Sequence, residues 1–120
     1  MYSPQLLDHF YHPRNQAELE DASFADARYD RCGDWLRLFV RLENGRVAEA
    51  CYQAVGCGAV LAVGSAGTQL ILGEPVQQAR QLTSQALEAA LGGIPDTKRH
   101  AIEMFLGCLR QVLDSAPLIT

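Results

Sequence analysis

The sequence predicts an α+β domain in which an antiparallel β-sheet is covered on one face by helices. Residues 35–42 alternate in side-chain character with the two-residue period of a strand, and Asn44-Gly45 follows as a strong two-residue hairpin turn. From Ala59 onward this alternation ends and the apolar pattern becomes helical. Strands that come first and helices that come after favour a sheet with its helices on one side.

The first helix is predicted to begin after Ser3, since serine caps helix N-termini well and Pro4 suits the first helical position. Pro13 should end it, because proline cannot continue a helix interior. Its apolar stripe consists of Leu6, Leu7 and Phe10.

Two strands of the predicted sheet are clear, and a third is weaker. The first clear strand covers residues 35–42, with Leu36, Leu38, Val40 and Leu42 on one face and Trp35, Arg37, Phe39 and Arg41 on the other. The first face is therefore expected in the core and the second partly in solvent. Residues 46–55 return as the partner strand, and the polar, alternating segment 20–30 is a candidate edge strand.

The first helix after the strands is predicted to be buried. Residues 59–72 are apolar with small residues on several sides, which indicates close neighbours, and Gly73 ends the helix. The apolar stretch from Ala54 to Leu72, which includes this helix, is interrupted by glycines and polar residues and is at the short limit for a membrane span of roughly 20 residues. A helix inside a soluble core is the better interpretation, and no membrane partner is expected.

Two shorter helices should follow. An amphipathic helix opens at Glu74-Pro75 and runs to about residue 82, and a third helix, capped by Thr83 or Ser84, runs to about residue 91. The segment 92–95, which contains two glycines and a proline, then breaks the chain.

The last helix is predicted to be capped by Asp96 or Thr97 and to end at Pro117, with His100 in its first turn. Its apolar residues recur at helical spacing, which indicates one face turned to the core. That face consists of Ile102, Phe105, Leu106, Leu109, Val112 and Leu113.

Composition narrows the classes of function. The chain has 120 residues, of which 48% are hydrophobic, so a single domain over residues 1–120 is expected. A net charge of −4 without a basic stripe argues against a nucleic-acid partner. The sequence does not open with a basic segment followed by an apolar run, so a cytoplasmic, reducing location is expected. Cysteines in such a location are more often buried, catalytic or metal-bound than paired in disulfides.

Four potential metal ligands lie at the ends of predicted elements. Cys32 and Asp34 flank Gly33 just before the first clear strand, Cys57 lies where the hairpin ends and the buried helix begins, and His100 lies near the start of the last helix. Ligands at element ends can converge on one point while the scaffold stays rigid. Two sulfurs, one carboxylate oxygen and one imidazole nitrogen suit a tetrahedral metal ion or a small iron–sulfur cluster.

Each of these residues also has a simpler structural interpretation. A lone cysteine is more often a small buried hydrophobe than a ligand, an aspartate before a strand is commonly a turn residue, and a histidine at a helix start commonly lies near solvent. The sequence has no Cys-x-x-Cys pair of the zinc-ribbon kind. A cysteine nucleophile with His100 as base is disfavoured, because no oxyanion motif accompanies it. No enzymatic activity is therefore expected.

The remaining cysteines and histidines are expected to be structural. Cys51 lies in the middle of a strand, and Cys108 lies seven residues beyond Ala101, too far along the helix axis to act in its place. His9 and His12 are three residues apart on the first helix and could in principle share a metal ion. A pair of surface histidines near a helix end is the simpler interpretation.

Six short segments carry a resemblance to a known family. They are Leu7-Asp8-His9-Phe10, Pro13-Arg14-Asn15, Cys32-Gly33-Asp34, Tyr52, Gly56-Cys57-Gly58-Ala59 and Lys98-Arg99-His100. Taken together and in this order, they resemble the iron–sulfur cluster assembly scaffolds of the NifU-N/IscU type over nearly the whole chain. The combination is specific, although each segment alone is not.

This resemblance implies a small three-stranded antiparallel sheet with helices on one face. It also implies a scaffold that accepts sulfur from a cysteine desulfurase, collects iron, builds a [2Fe–2S] cluster and passes it to acceptor apoproteins. Several members of the family bind zinc in the same pocket. By position, Cys32, Asp34, Cys57 and His100 inherit the ligand roles. A diverged member that binds zinc or iron, builds no cluster and regulates or partners the assembly machinery is the alternative.

The sequence departs from the family at two places. The residue after the histidine is a cysteine in the usual pattern and is Ala101 here, and alanine can neither receive persulfide sulfur nor bind metal. Cluster assembly by the ordinary route is therefore in question. The family's Leu-Pro-Pro-Val-Lys segment, which recruits an Hsp70-type chaperone, is replaced by residues 93–98, which argues against handling by such a chaperone.

Overall fold

The structure, a computed structural model, describes residues 2–31 and 33–115. Its elements are helix α1 (Pro4–Tyr11), strands β1 (Ser23–Tyr29), β2 (Asp34–Glu43) and β3 (Arg46–Val55), and helices α2 (Gly58–Ile71), α3 (Val76–Arg80), α4 (Ser84–Ala90) and α5 (His100–Ser115), with a 3₁₀ turn at Asp96–Lys98 before α5. The predicted α+β class is confirmed. The predicted helix end at Pro117 lies outside the described residues.

The sheet has three antiparallel strands in the order β1-β2-β3. Its central hairpin closes at Asn44-Gly45, where both residues have positive φ angles of 55° and 74°, as the predicted turn requires. At the opposite end of the sheet, Tyr29 pairs with Asp34 and Trp35 pairs with Val55. The ends of all three strands therefore meet at the point where the chain turns into α2.

One face of the sheet packs against helices α2 and α5. The side chains of Leu36, Leu38 and Val40 are buried there, as the alternation predicts. The other face is half-buried at Trp35, but Phe39 is buried rather than partly solvated. The ring of Phe24, on β1, lies beside Phe39 with 5.9 Å between ring centroids and shields it from water.

Helix α2 has the close neighbours that its small residues predict. A Cβ atom added at Gly64 would lie 2.3 Å from the ring of Tyr52, and one added at Gly67 would lie 2.4 Å from the ring of Phe105. Both aromatic rings are fully buried. The bare backbone of α2 therefore packs directly against one ring from β3 and another from α5.

Two helix boundaries differ from the prediction. Helix α3 begins only at Val76, because Glu74 and Pro75 pair with the start of β3: Val47 N–H donates to Glu74 O at 2.9 Å, and Pro75 bridges Arg46. Helix α5 begins at His100, because the residues expected to form its first turn form the 3₁₀ turn instead.

His9 is not the surface residue that its position near a helix end suggests. It is buried, and its Nδ1 lies 2.7 Å from Ser65 Oγ and 3.3 Å from Arg14 Nη1. Ser65 Oγ also accepts the backbone N–H of Arg14 at 2.9 Å. Because arginine only donates, Nδ1 is the acceptor and His9 is neutral. The segment after α1 is thereby fastened to α2.

The same segment continues along the edge of the sheet. Tyr52 N–H donates to Asn15 O at 2.9 Å, and Ala17 N–H donates to Tyr52 O at 3.0 Å. Asn15 has a φ angle of 63°, and its side chain donates to Thr68 at 3.2 Å. The segments around Asp8 and Arg14 that carry the family resemblance therefore join α1, α2 and β3.

Within the described ranges, none of the helices combines the length and hydropathy needed to cross a membrane.

Candidate metal centre

Three of the four predicted ligand residues meet at one end of the sheet. Among the residues that the structure describes, Asp34, Cys57 and His100 offer a carboxylate oxygen, a sulfur and an imidazole nitrogen that all lie within 4.8 Å of one another. The fourth predicted ligand, Cys32, lies outside the described residues. The prediction that separate segments converge is therefore confirmed for these three residues.

Asp34 is at the centre of this group. Its side chain has no exposed surface, and its Oδ2 atom lies 2.7 Å from His100 Nε2 and accepts the thiol of Cys57 at 3.5 Å. Its Oδ1 atom accepts the backbone N–H of Cys57 at 3.0 Å. Burial of the carboxyl acts to raise its pKa, but the hydrogen bonds from His100 and Cys57 outweigh burial and hold the pKa of Asp34 below its ordinary value. The carboxylate is therefore the ionised, accepting partner of both other residues.

Gly56 makes room for this carboxylate. Its φ angle is +138°, and a Cβ atom at this position would lie 2.0 Å from Asp34 Oδ1. No other residue type fits without moving Asp34, because real Cβ atoms do not come that close to another atom. The Gly-Cys-Gly sequence is a weak motif by itself. The structure gives the reason for its first glycine, because only glycine leaves room for the Asp34 carboxylate.

Cys57 lies at the N-cap position of α2 with an extended backbone, φ −72° and ψ 161°. Cap residues commonly turn their side chain onto the helix backbone, but Cys57 makes no such bond. Its thiol instead faces Asp34. The hairpin end and the helix start thus place the sulfur toward the carboxylate.

His100 is the first residue of α5, and its side chain is only 10% exposed. Because Asp34 is an acceptor, Nε2 of His100 carries the proton and donates it. The preceding residue, Arg99, forms a bidentate pair with Glu88 on α4, at 2.6 and 3.1 Å, and also bonds Asp96 at 3.1 Å. These contacts hold the start of α5 against α4 and so help to place the histidine.

Tyr29 also contacts this group, although no motif in the sequence points to it. Its ring is stacked on the imidazole of His100, with 3.9 Å between centroids and 14° between planes. The only signal in the sequence is its position at the end of the weak edge strand. The strand register that places Tyr29 opposite Asp34 could not be derived from that pattern.

The other cysteines lie elsewhere. Cys51 pairs with Phe39 on the far face of the sheet and is half-buried, and its thiol pKa is raised by burial and by the charge of Glu49. Cys108 is buried, and burial raises its thiol pKa to about 12. Ala101, beside His100, is fully buried in the core. Neither thiol takes the place of the sulfur missing at Ala101.

The three described donors suit a metal ion of borderline softness. Thiolate, imidazole and carboxylate are the ligands of zinc and of iron, and they converge here from three different elements. Asp34 Oδ2 accepts a hydrogen bond from each of the other two residues. The three atoms that would face a metal ion are therefore already held together by hydrogen bonds. A fourth donor would complete a tetrahedral set.

A three-stranded antiparallel sheet with helices on one face and a mixed donor cluster at the sheet end defines a small α+β domain with a candidate metal centre. Comparison with known proteins then identifies its family. The chain belongs to the NifU-like N terminal domain family, whose sequence profile matches residues 1–115. The predicted resemblance is confirmed.

Similar proteins agree with this membership. The chain is 32% identical over 114 residues to the iron–sulfur cluster assembly scaffold protein IscU 1 of Archaeoglobus fulgidus, an alignment that covers 94% of this chain and 74% of the relative. It is 34% identical over 111 residues to the iron–sulfur cluster assembly scaffold protein IscU of Aquifex aeolicus, covering 90% and 71%. Both relatives are named as scaffold proteins and not as enzymes, in agreement with the non-enzymatic role predicted from the sequence.

The fold is shared with a solved structure. The N-terminal part of a nitrogen-fixing NifU-like protein from Brucella abortus superposes with a TM-score of 0.69 at 14% sequence identity, covering 95% of each chain. At this identity the likeness concerns the fold alone. It confirms the predicted three-stranded sheet with helices.

Proposed function

We propose that this protein is a scaffold or carrier in iron–sulfur cluster assembly that holds iron or a [2Fe–2S] cluster through Cys32, Asp34, Cys57 and His100. The observation that carries the proposal is the convergence of the Asp34, Cys57 and His100 ligand atoms within 4.8 Å. Membership of the NifU-like N terminal domain family and the names of the IscU relatives support the same role.

Cys32 completes the proposed ligand set on the basis of its sequence position. It lies two residues before Asp34, in the segment that resembles the family's first ligand motif. With it, the site has two thiolates, one carboxylate and one imidazole. Oxygen and nitrogen ligands are harder than thiolate, so a cluster bound in this way should be labile and easily transferred.

The proposed partners follow from the family. A cysteine desulfurase would supply sulfur, and acceptor apoproteins would receive the cluster. With Ala101 in place of the third cysteine, sulfur must reach the site without a persulfide at that position. Carriage of a finished cluster is therefore the part of the role that this chain is best equipped to perform.

The second candidate function is that of a zinc or iron protein that builds no cluster and regulates or partners the assembly machinery. The mixed character of the three described donors favours it, since sulfur, nitrogen and oxygen around one point suit a single tetrahedral ion. Stoichiometric zinc that prevents cluster uptake would support this function over the first.

The experiment is reconstitution of anaerobically purified protein with ferric iron and sulfide in equal amounts, the composition of an oxidised [2Fe–2S] cluster. The wild type should develop visible absorption and retain iron and acid-labile sulfide after desalting. Cys57→Ser should lose this capacity because it removes a central ligand. Cys51→Ser is the matched control, since Cys51 lies on the far face of the sheet and should not matter. A colourless wild type without iron, or equal loading of the two variants, would contradict the proposal.

A further inference from the structure

Tyr29 lies directly against the candidate metal centre, and the pairing of strands β1 and β2 places it there. It is the last residue of β1 and pairs in register with Asp34, the first residue of β2. Residues directly opposite each other on antiparallel strands place their side chains on the same face. Tyr29 and Asp34 therefore both reach His100 from the helix-covered face of the sheet.

Contact with His100 is face to face. The two ring centroids are 3.9 Å apart and the planes differ by 14°, so the phenol ring covers one side of the imidazole. The imidazole edge points elsewhere, with Nε2 2.7 Å from Asp34 Oδ2. Tyr29 thus fixes the ring plane of His100, and Asp34 fixes the direction in which Nε2 points.

Control of the ring plane matters for metal binding by histidine. The lone pair of an imidazole nitrogen lies in the plane of the ring, so a bound ion must lie near that plane. Groups that orient a histidine ligand commonly change metal affinity by roughly 10–100-fold although they never touch the ion. Asp34 cannot set the plane alone, because a single hydrogen bond at a ring atom leaves rotation about that bond open.

We propose that Tyr29 is a positioning residue for metal binding, which fixes the ring plane of His100 so that its nitrogen faces Asp34 and Cys57. The inference rests on the proposed function, since it concerns the same site. It assigns the role to the aromatic ring and not to the hydroxyl group, because the ring makes the stack. It also explains why this polar residue ends an edge strand in a half-buried position.

The test compares Tyr29→Phe, which keeps the ring, with Tyr29→Leu and Tyr29→Val, which remove it. Cobalt(II) alone is the probe, because its visible absorption reports both occupancy and ligand geometry. Tyr29→Phe should bind like the wild type. The two aliphatic variants should bind roughly 10–100-fold more weakly, with a changed absorption spectrum. Tyr11→Leu, at an exposed tyrosine, is the matched control for loss of a tyrosine and should not change binding.

A second measurement needs no metal. In the NMR spectrum of the metal-free protein, the imidazole protons of His100 should be shifted upfield by the Tyr29 ring current in the wild type and in Tyr29→Phe. The upfield shift should be lost in whichever aliphatic variant retains the wild-type circular dichroism. The His100 signals are identified by their absence in His100→Asn.

The outcomes separate this inference from the proposed function. Unchanged cobalt affinity and spectrum in a folded aliphatic variant, or unchanged His100 shifts, would overturn the role of Tyr29 while the metal site remained. Absence of cobalt binding by the wild type would refute the site itself. Loss of binding in Tyr29→Phe as well would also overturn the inference, because the hydroxyl and not the ring would then be the active group.

Discussion

The carboxylate of Asp34 fills the space in which any side chain at position 56 would begin. A Cβ atom there would lie 2.0 Å from Asp34 Oδ1 and 3.0 Å from Asp34 Cα. The same carboxylate bonds the backbone and thiol of Cys57. Gly56 and Asp34 are thus sterically coupled, and the coupling extends to Cys57, the residue that follows Gly56 in the chain.

Gly56→Ala should therefore weaken metal binding at the candidate metal centre. The added methyl group forces Asp34 away from Cys57, so metal affinity should fall at least as much as with loss of an orienting group, roughly 10–100-fold. Cobalt(II) titration measures the loss. Gly45→Ala is the matched control, because Gly45 also has a positive φ angle, +74°, but nothing within 4 Å of an added Cβ. That control should cost about 1–2 kcal/mol of stability and leave metal binding intact. Equal metal affinity in the two variants would show that the contact between Gly56 and Asp34 has no functional weight.

The packing of α2 against aromatic rings predicts a contrast among helical glycines. Gly64→Ala and Gly67→Ala press a methyl group into Tyr52 and Phe105, and each should lower the free energy of unfolding by about 1–3 kcal/mol. Gly107→Ala, on the exposed side of α5 with nothing within 4 Å of an added Cβ, should instead stabilise by about 0.5–1 kcal/mol. Urea denaturation measures all three. Destabilisation by the Gly107 change would mean that α5 packs differently.

His9 predicts a loss of stability in mild acid. Burial, followed by the charge of Arg14, lowers its pKa from the ordinary value of 6.5 in the folded state. The unfolded chain then binds more protons than the folded chain between the two pKa values, so stability rises with pH in that window. As the pH falls below about 6.5, the wild type should lose stability because His9 resists protonation in its buried position.

The measurement is thermal unfolding between pH 7.5 and pH 5. His9→Asn, whose side-chain oxygen can accept the same hydrogen bonds as Nδ1, should show a smaller loss over this range. His12→Asn is the matched control at an exposed histidine and should behave like the wild type. The interpretation fails if His9→Asn and the wild type lose stability in parallel.

Ala101→Cys examines the departure from the family pattern. The new thiol would follow His100 at the start of α5, where the ion pairs of Arg99 are partly exposed (its side chain is 51% exposed), so local opening there should be accessible. After incubation with a cysteine desulfurase and cysteine, the variant should gain one sulfur atom by mass spectrometry, at a site that alkylation maps to position 101. The wild type should carry no such sulfur there. An unmodified variant would indicate that more than one residue separates this chain from the sulfur-accepting scaffolds.

Local patterns predicted most of the fold. The alternation in β2, the turn at Asn44-Gly45 and the apolar face of α5 depend on backbone geometry and side-chain character within a few residues, and all three are confirmed. Long-range pairing was not accessible in the same way. Helix α3 is short because Glu74 and Pro75 pair with β3, a contact with no local signature.

The candidate site shows the same contrast between local patterns, which are predictable, and long-range contacts, which are not. The placement of Asp34, Cys57 and His100 at element ends predicted that they would meet, because ends of neighbouring elements gather at the edge of a sheet. The contact of Tyr29 with His100 is not predictable from the sequence, because it depends on the register of a weakly patterned edge strand. The burial of His9 is not predictable from local pattern, because its partner, Ser65, lies on a helix 56 residues away in the chain.

The rings of Tyr52 and Phe105 pack against the backbone of α2, so this helix cannot easily move relative to β3 and α5. Cys57 is the N-cap residue of this helix, so its backbone can shift together with the helix only if Tyr52 and Phe105 shift as well. Under the proposed function, a change from one bound ion to a two-iron cluster would be accommodated at the start of α5, where the side chain of Arg99 is 51% exposed. The α2 side of the proposed site would then stay fixed, and adjustment to a larger or smaller bound group would fall to the α5 side.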